Sequence, residues 1–167
     1  SSSTFGEGDG GNITINTLED LSLKGQGRID PTNNSPGIAI ASLVGSSTKV
    51  NAGNITINAG SFSLTEFTAI DASNLSLGGG NAGNVVINAG NNVLISESGI
   101  NSLASFGNAG NIEITANSIH TENYSFVDSS NLATGNSGDI LFQANSIFMG
   151  TPFIRSQIVN GEAGDIN

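Results

Sequence analysis

The chain has 167 residues, neither cysteine nor tryptophan, and a formal charge of −10, with Lys24, Arg28, Lys49 and Arg155 opposing fourteen acids. Without thiols, disulfide staples and thiolate metal sites are excluded, and the acidity disfavours nucleic acid or an anionic membrane surface as partner. No apolar run reaches the ~20 residues of a membrane span and residues 1–30 show no basic-then-apolar leader, so membrane insertion is not expected.

In chain order, SSSTFGEGDG at 1–10 reads as the tail of a repeat, because SLASFGNAG at 102–110 begins with the same pattern. GNITIN follows at 11–16 and returns as GNITIN at 53–58, GNVVIN at 83–88, GNIEIT at 110–115, GDILFQ at 138–143 and GDIN at 164–167. The repeats start at 11, 53, 83, 110, 138 and 164, spaced 42, 30, 27, 28 and 26 residues apart, a period that signals stacked structural units.

Within each unit the residues after the glycine alternate: Ile13/Ile15, Ile55/Ile57, Val85/Ile87, Ile112/Ile114 and Ile140/Phe142 are apolar, with mostly polar neighbours. That period of two predicts a strand with one buried face. A second alternating pair follows at Leu21/Leu23, Phe62/Leu64, Val93/Ile95, Ile119/Thr121 and Ile147/Met149. A third couples a β-branched residue to a small one: Ile40/Ser42, Ile70/Ala72, Ile100/Ser102, Val127/Ser129 and Ile154/Ser156. Three short strands per unit, joined by Gly, Asn and Ser corners, predict an all-β, three-sided parallel β-helix (β-solenoid) of about five complete coils with open ends. On this reading, 1–167 is a single segment of a longer repeat protein. Each coil brings about six inward apolar side chains at roughly 1.5–3 kcal/mol apiece, against roughly 1–2 kcal/mol per residue of backbone entropy. Coils therefore need hydrogen-bonded neighbours to be stable.

The first repeat holds an insertion within KGQGRIDPTNNSPG at 24–37. Insertions in solenoids map to loops on one face, so Lys24, Arg28, Asp30, Asn33 and Asn34 form a candidate binding loop. Asn12, Asn54, Asn84 and Asn111, continued by Asp139 and Asp165, form one corner column, and Asn16, Asn58 and Asn88 a second. Both are expected to be structural ladders in which stacked amides donate to one coil and accept from the other. The glycine before the first column supplies room or a positive φ. Asn-x-Ser/Thr strings at Asn12, Asn54, Asn74 and Asn123 match the glycan acceptor pattern, largely as by-products of the repeat.

On the outward phase of the third strand, Asp71, Asn101, Asp128 and Arg155 stack as a candidate surface column. Asp71 and Asp128 would stand two coils apart, about 9.6 Å by the strand spacing, wide enough for an inverting carboxylate pair. Asn101 between them, Arg155 beside Asp128 and the absence of nearby aromatic platforms argue against catalysis. His120 lies on an outward phase with no second ligand, and Thr121 interrupts an otherwise aliphatic column. GEGDGGN at 6–12 lacks the nine-residue period of calcium-binding Gly-Asp repeats. No catalytic, cofactor or metal residues are therefore assigned, and no cofactor is expected.

The units VNAGNITINAGSFSLTEFTAIDAS at 50–73, NAGNVVINAG at 81–90 and FGNAGNIEITANS at 106–118 resemble the filamentous haemagglutinin-like adhesins secreted by the two-partner route, closest to the large cyanobacterial members. The resemblance spans nearly the whole chain except 24–37. It implies a right-handed β-helix shaft, export through an outer-membrane partner and a secreted or cell-surface location of Gram-negative type. The Asn-Pro-Asn-type motifs of that family's secretion domain do not occur here. The leading expectation is a non-catalytic shaft segment of a filamentous adhesin; the alternative is a carbohydrate-binding or polysaccharide-degrading β-helix protein. Expected partners are flanking coils of the parent chain, surface glycans or host cell-surface proteins, and further copies stacked end to end.

Overall fold

The computed structural model describes residues 7–25, 38–42, 44 and 48–167, in which seventeen strands and no helix occur. The first coil contributes β1 (Ile13–Asn16), β2 (Leu21–Lys24) and β3 (Ile38–Ala41), and the second β4 (Ile55–Ala59), β5 (Phe62–Thr65) and β6 (Thr68–Asp71). The third contributes β7 (Val85–Ala89), β8 (Asn92–Ser96), β9 (Gly99–Asn101) and the short β10 (Ala104–Phe106). The fourth contributes β11 (Ile112–Thr115), β12 (Ser118–Glu122), β13 (Phe126–Asp128) and β14 (Asn131–Thr134). The fifth contributes β15 (Ile140–Gln143), β16 (Ser146–Met149) and β17 (Phe153–Arg155).

These strands stack into three parallel five-stranded sheets, ordered β1-β4-β7-β11-β15, β2-β5-β8-β12-β16 and β3-β6-β9-β13-β17. The chain is a parallel β-solenoid. Ile13, Ile55, Val85, Ile112 and Ile140 pair in succession, the register that the repeat predicts. The second and third strands keep register equally, from Leu23 with Leu64 to Asp128 with Arg155. One line of contacts goes beyond the predicted three sides: β10 pairs with β14, and single bridges link Val44 to Asn74 and Asn74 to Ala104. A further bridge joins Ile140 to Ile166 on the first sheet.

The alternation places Ile55, Ile57, Leu64, Ile87, Ile95 and Ile112 in a core where each is at most 1 % exposed. Thr121 stands in this core between Ile95 and Met149, fully buried, and its hydroxyl has no hydrogen-bond partner. The small third-strand residue has a function that its size alone does not reveal. Ser102 Oγ donates to the Gly83 carbonyl at 2.7 Å and accepts the Gly110 N–H at 2.9 Å. Ser129 does the same between Gly110 (2.7 Å) and Gly138 (3.0 Å), and Ser42 between Gly11 and Gly53, both at 3.0 Å. Each buried hydroxyl thus ties one coil's corner to the next with both capacities used.

Close approach, not backbone angle, demands glycine at the start of the second and later units. A Cβ on Gly110 would come within 2.3 Å of the Gly83 carbonyl oxygen, and its φ is not positive. The first asparagine column also differs from the expected amide stack. Asn54 N–H donates to Asn12 Oδ1, Asn84 N–H to Asn54 Oδ1 and Asn111 N–H to Asn84 Oδ1, each at 2.8 Å. Asp139 and Asp165 continue it at 2.9 Å. Only a side-chain acceptor is needed along this line, so aspartate replaces asparagine without loss. In the second column the amides do bond one another, Asn58 Nδ2 to Asn16 Oδ1 at 2.6 Å and Asn88 Nδ2 to Asn58 Oδ1 at 2.9 Å. A third column of the acceptor kind, not anticipated from sequence, runs Asp9, Asn51, Asn81, Asn108, Asn136 and Glu162.

Candidate functional site

The third sheet carries a polar column on its outward face. Pairing of β6, β9, β13 and β17 stacks Asp71, Asn101, Asp128 and Arg155 in one column, as the repeat predicts. Arg155 Nε donates to Asp128 Oδ2 at 2.9 Å, and Arg155 Nη2 bonds the same oxygen. Ser130 Oγ donates to the other carboxylate oxygen and accepts the Gln157 N–H at 3.1 Å. Although Asp128 lies on the outward phase, these partners cover it to 4 % exposure, while the Arg155 side chain remains 57 % exposed. The bond to Asp128 holds the Arg155 guanidinium even more firmly protonated than usual.

One coil beyond Asn101, Asp71 accepts the Ser73 N–H at 3.0 Å and bonds the Asn101 side chain. Burial pushes the Asp71 carboxyl above its ordinary value, and the hydrogen bonds from Ser73 and Asn101 oppose part of that rise. Asp71 and Asp128 are therefore each engaged by separate partners, with Asn101 between them. Such an arrangement holds and orients groups.

The expectation that no aromatic platform stands near this column needs correction. Phe126 and Phe153, each two residues before a column member, share its face and pair across β13 and β17. They are 36 % and 66 % exposed and, with Asn101, Leu103, Asp128 and Arg155, line a cleft of about 480 Å³. The Phe126 ring lies directly over Gly99, where a Cβ would come within 2.0 Å of it. The signal was available: period two puts positions 126 and 128 on one face. A column one residue wide leaves positions 126 and 153 out.

Of the candidate loop, Lys24 is described, and its Nζ pairs with Glu66 Oε1 at 3.0 Å in an exposed contact. Such pairs contribute only about 0–1 kcal/mol. Arg28, Asp30, Asn33 and Asn34 lie outside the described residues. His120 is on the outer face as expected, 3.2 Å from Glu122 Oε2 and with its ring 4.5 Å from that of Phe148. Asn74, one of the Asn-x-Ser strings, is 1 % exposed, and its amide nitrogen donates to the Val50 carbonyl at 2.6 Å. It is a corner clamp and closed to glycosylation. Among the described residues no cluster of three or more His, Asp or Glu gathers as metal ligands, and no helix is long and apolar enough to cross a membrane.

No family model matches the chain, and neither curated proteins nor solved structures give a match.

Proposed function

We propose that the chain is a rigid, non-catalytic shaft segment of a filamentous adhesin that is secreted or displayed at the cell surface. The observation that carries this reading is the residue-for-residue register kept through five coils on all three sheets. A solenoid in which every coil hydrogen-bonds its neighbours and threads one continuous aliphatic core resists bending, as a stalk requires. The similarity of its GNITIN units to filamentous haemagglutinin-like adhesins supports surface export by the two-partner route. The engaged state of Asp71 and Asp128 supports a structural over a hydrolytic use of the third sheet.

The reading is tested by raising antibodies against this segment and imaging the producing cells and the purified parent protein by immuno-electron microscopy. Label along straight rods outside the cell is the expected result. Compact particles, or label confined to the cell interior, would refute it.

A further inference from the structure

The cleft on the third sheet has features that a plain shaft does not need. Along one outward column, β6, β9, β13 and β17 present Ala69, Gly99, Phe126 and Phe153. Small residues occupy this column in the second and third coils and aromatic rings in the fourth and fifth. Gly99 is the place where the Phe126 ring seats, since any side chain there would displace it. A glycine inside a strand weakens the strand unless something must approach closely, and here that something is the ring. Phe153 keeps 66 % of its surface in solvent beside the cleft, an apolar exposure next to the polar column of Asp71, Asn101, Asp128 and Arg155.

The polar wall beside the rings is fixed in advance. Asp128 is buried and bound by Arg155 and Ser130, so its charge is answered internally and it orients the guanidinium. Two of the five Arg155 N–H groups are used on Asp128, which leaves three donors directed elsewhere. Asn101 places an amide one coil away. A cationic ligand would face the Arg155 guanidinium, and a polyanion would approach a chain of charge −10. What fits is neutral, rich in hydroxyls that both accept and donate, and apolar on one flat face. A pyranose has those properties. The Phe126 and Phe153 backbones are one coil apart, about 4.8 Å, and the Phe126 ring leans back over Gly99, so the two rings offer successive platforms along the stacking direction.

We propose that this cleft is a binding site for an extended neutral glycan, whose successive rings lie over Phe126 and Phe153 and whose hydroxyls meet Arg155 and Asn101. The site is independent of the shaft reading, since it would serve equally on a stalk or on a separate binding module. Its volume of about 480 Å³ falls within the range of small-ligand pockets.

The test titrates the intact chain with cellohexaose, maltohexaose and mannohexaose, and with hexagalacturonate as the acidic counterpart, following side-chain and backbone resonances by NMR and affinity by calorimetry. At least one neutral hexasaccharide is expected to shift the resonances of Phe126, Phe153, Asn101 and Arg155. Phe153→Ala, at a mostly exposed ring, is expected to weaken binding about tenfold, and Phe153→Trp to retain it. Circular dichroism checks that both variants are folded. Three results each overturn the proposal: no shift from any neutral hexasaccharide at millimolar concentration, shifts mapping away from the cleft, or binding by hexagalacturonate alone. Equal affinity in folded Phe153→Ala overturns it as well, and the titration of the unaltered chain decides the question even if that variant does not fold.

Discussion

Replacing Thr121 by valine tests how the core is built. Thr121 is fully buried, paired in register between Ile95 and Met149, and its hydroxyl lacks a hydrogen-bond partner. Equivalent positions in the other coils are Leu23, Leu64, Ile95 and Met149, all apolar. Valine has nearly the same shape, so the change removes an unsatisfied polar group without opening a cavity or forcing a new rotamer. An unpaired buried hydroxyl costs about 1–3 kcal/mol, and an added buried methyl contributes up to about 0.8 kcal/mol. The expected gain is about 1–3 kcal/mol, corresponding to a rise in Tm of roughly 2–12 °C for a chain of this size. Urea denaturation followed by circular dichroism should show a higher midpoint with an unchanged slope, which marks a stability change without a change in the denatured state. Thr121→Ser, which keeps the hydroxyl and deletes the methyl, should move the midpoint the other way. An unchanged or lowered midpoint for Thr121→Val would mean that the hydroxyl is satisfied, and the account of this coil's weakness would fail.

Three further outcomes follow from the same geometry. Gly110→Ala should destabilise the chain by at least about 2 kcal/mol, because the new methyl meets the Gly83 carbonyl at 2.3 Å and backbone must move; a midpoint within about 0.5 kcal/mol of the parent contradicts the close-packed corner. The two kinds of asparagine column should separate under the same substitution. Asn84→Asp keeps the acceptor that Asn111 N–H uses and should be nearly neutral, whereas Asn58→Asp removes the donor to Asn16 and should cost about 1 kcal/mol by denaturant midpoint. Asp71 supplies a pH dependence. Burial raises its folded pKa, so this group's contribution to stability is fully present below the unfolded carboxyl pKa and is lost as pH rises through the raised folded value. Asp71→Asn should therefore raise Tm at neutral pH and gain less in acid, measured by thermal melts across that range; an equal gain at every pH would show that ionisation of Asp71 does not matter.

The candidate site was only partly legible from the sequence. The column Asp71, Asn101, Asp128, Arg155 followed from aligning the third strands, because strand register in a solenoid copies sequence alignment directly. The cleft did not follow. It depends on the Phe126 ring leaning over Gly99 and on Arg155 folding back to cover Asp128, both of which are side-chain conformations reached across coils. Such conformations are set by packing between residues about 27 positions apart, and no local pattern encodes them.

The sequence by itself determined the architecture: six near-copies of one motif, with alternation of period two inside each, leave stacking as the only way to bury the aliphatic face and pair the strands. Tertiary structure alone decided how each polar residue is used. The first asparagine column accepts backbone N–H groups while the second bonds amide to amide, and the small third-strand serines clamp glycine corners. These differences arise because a hydrogen bond depends on direction as well as proximity, and direction is fixed only when neighbouring coils are in place.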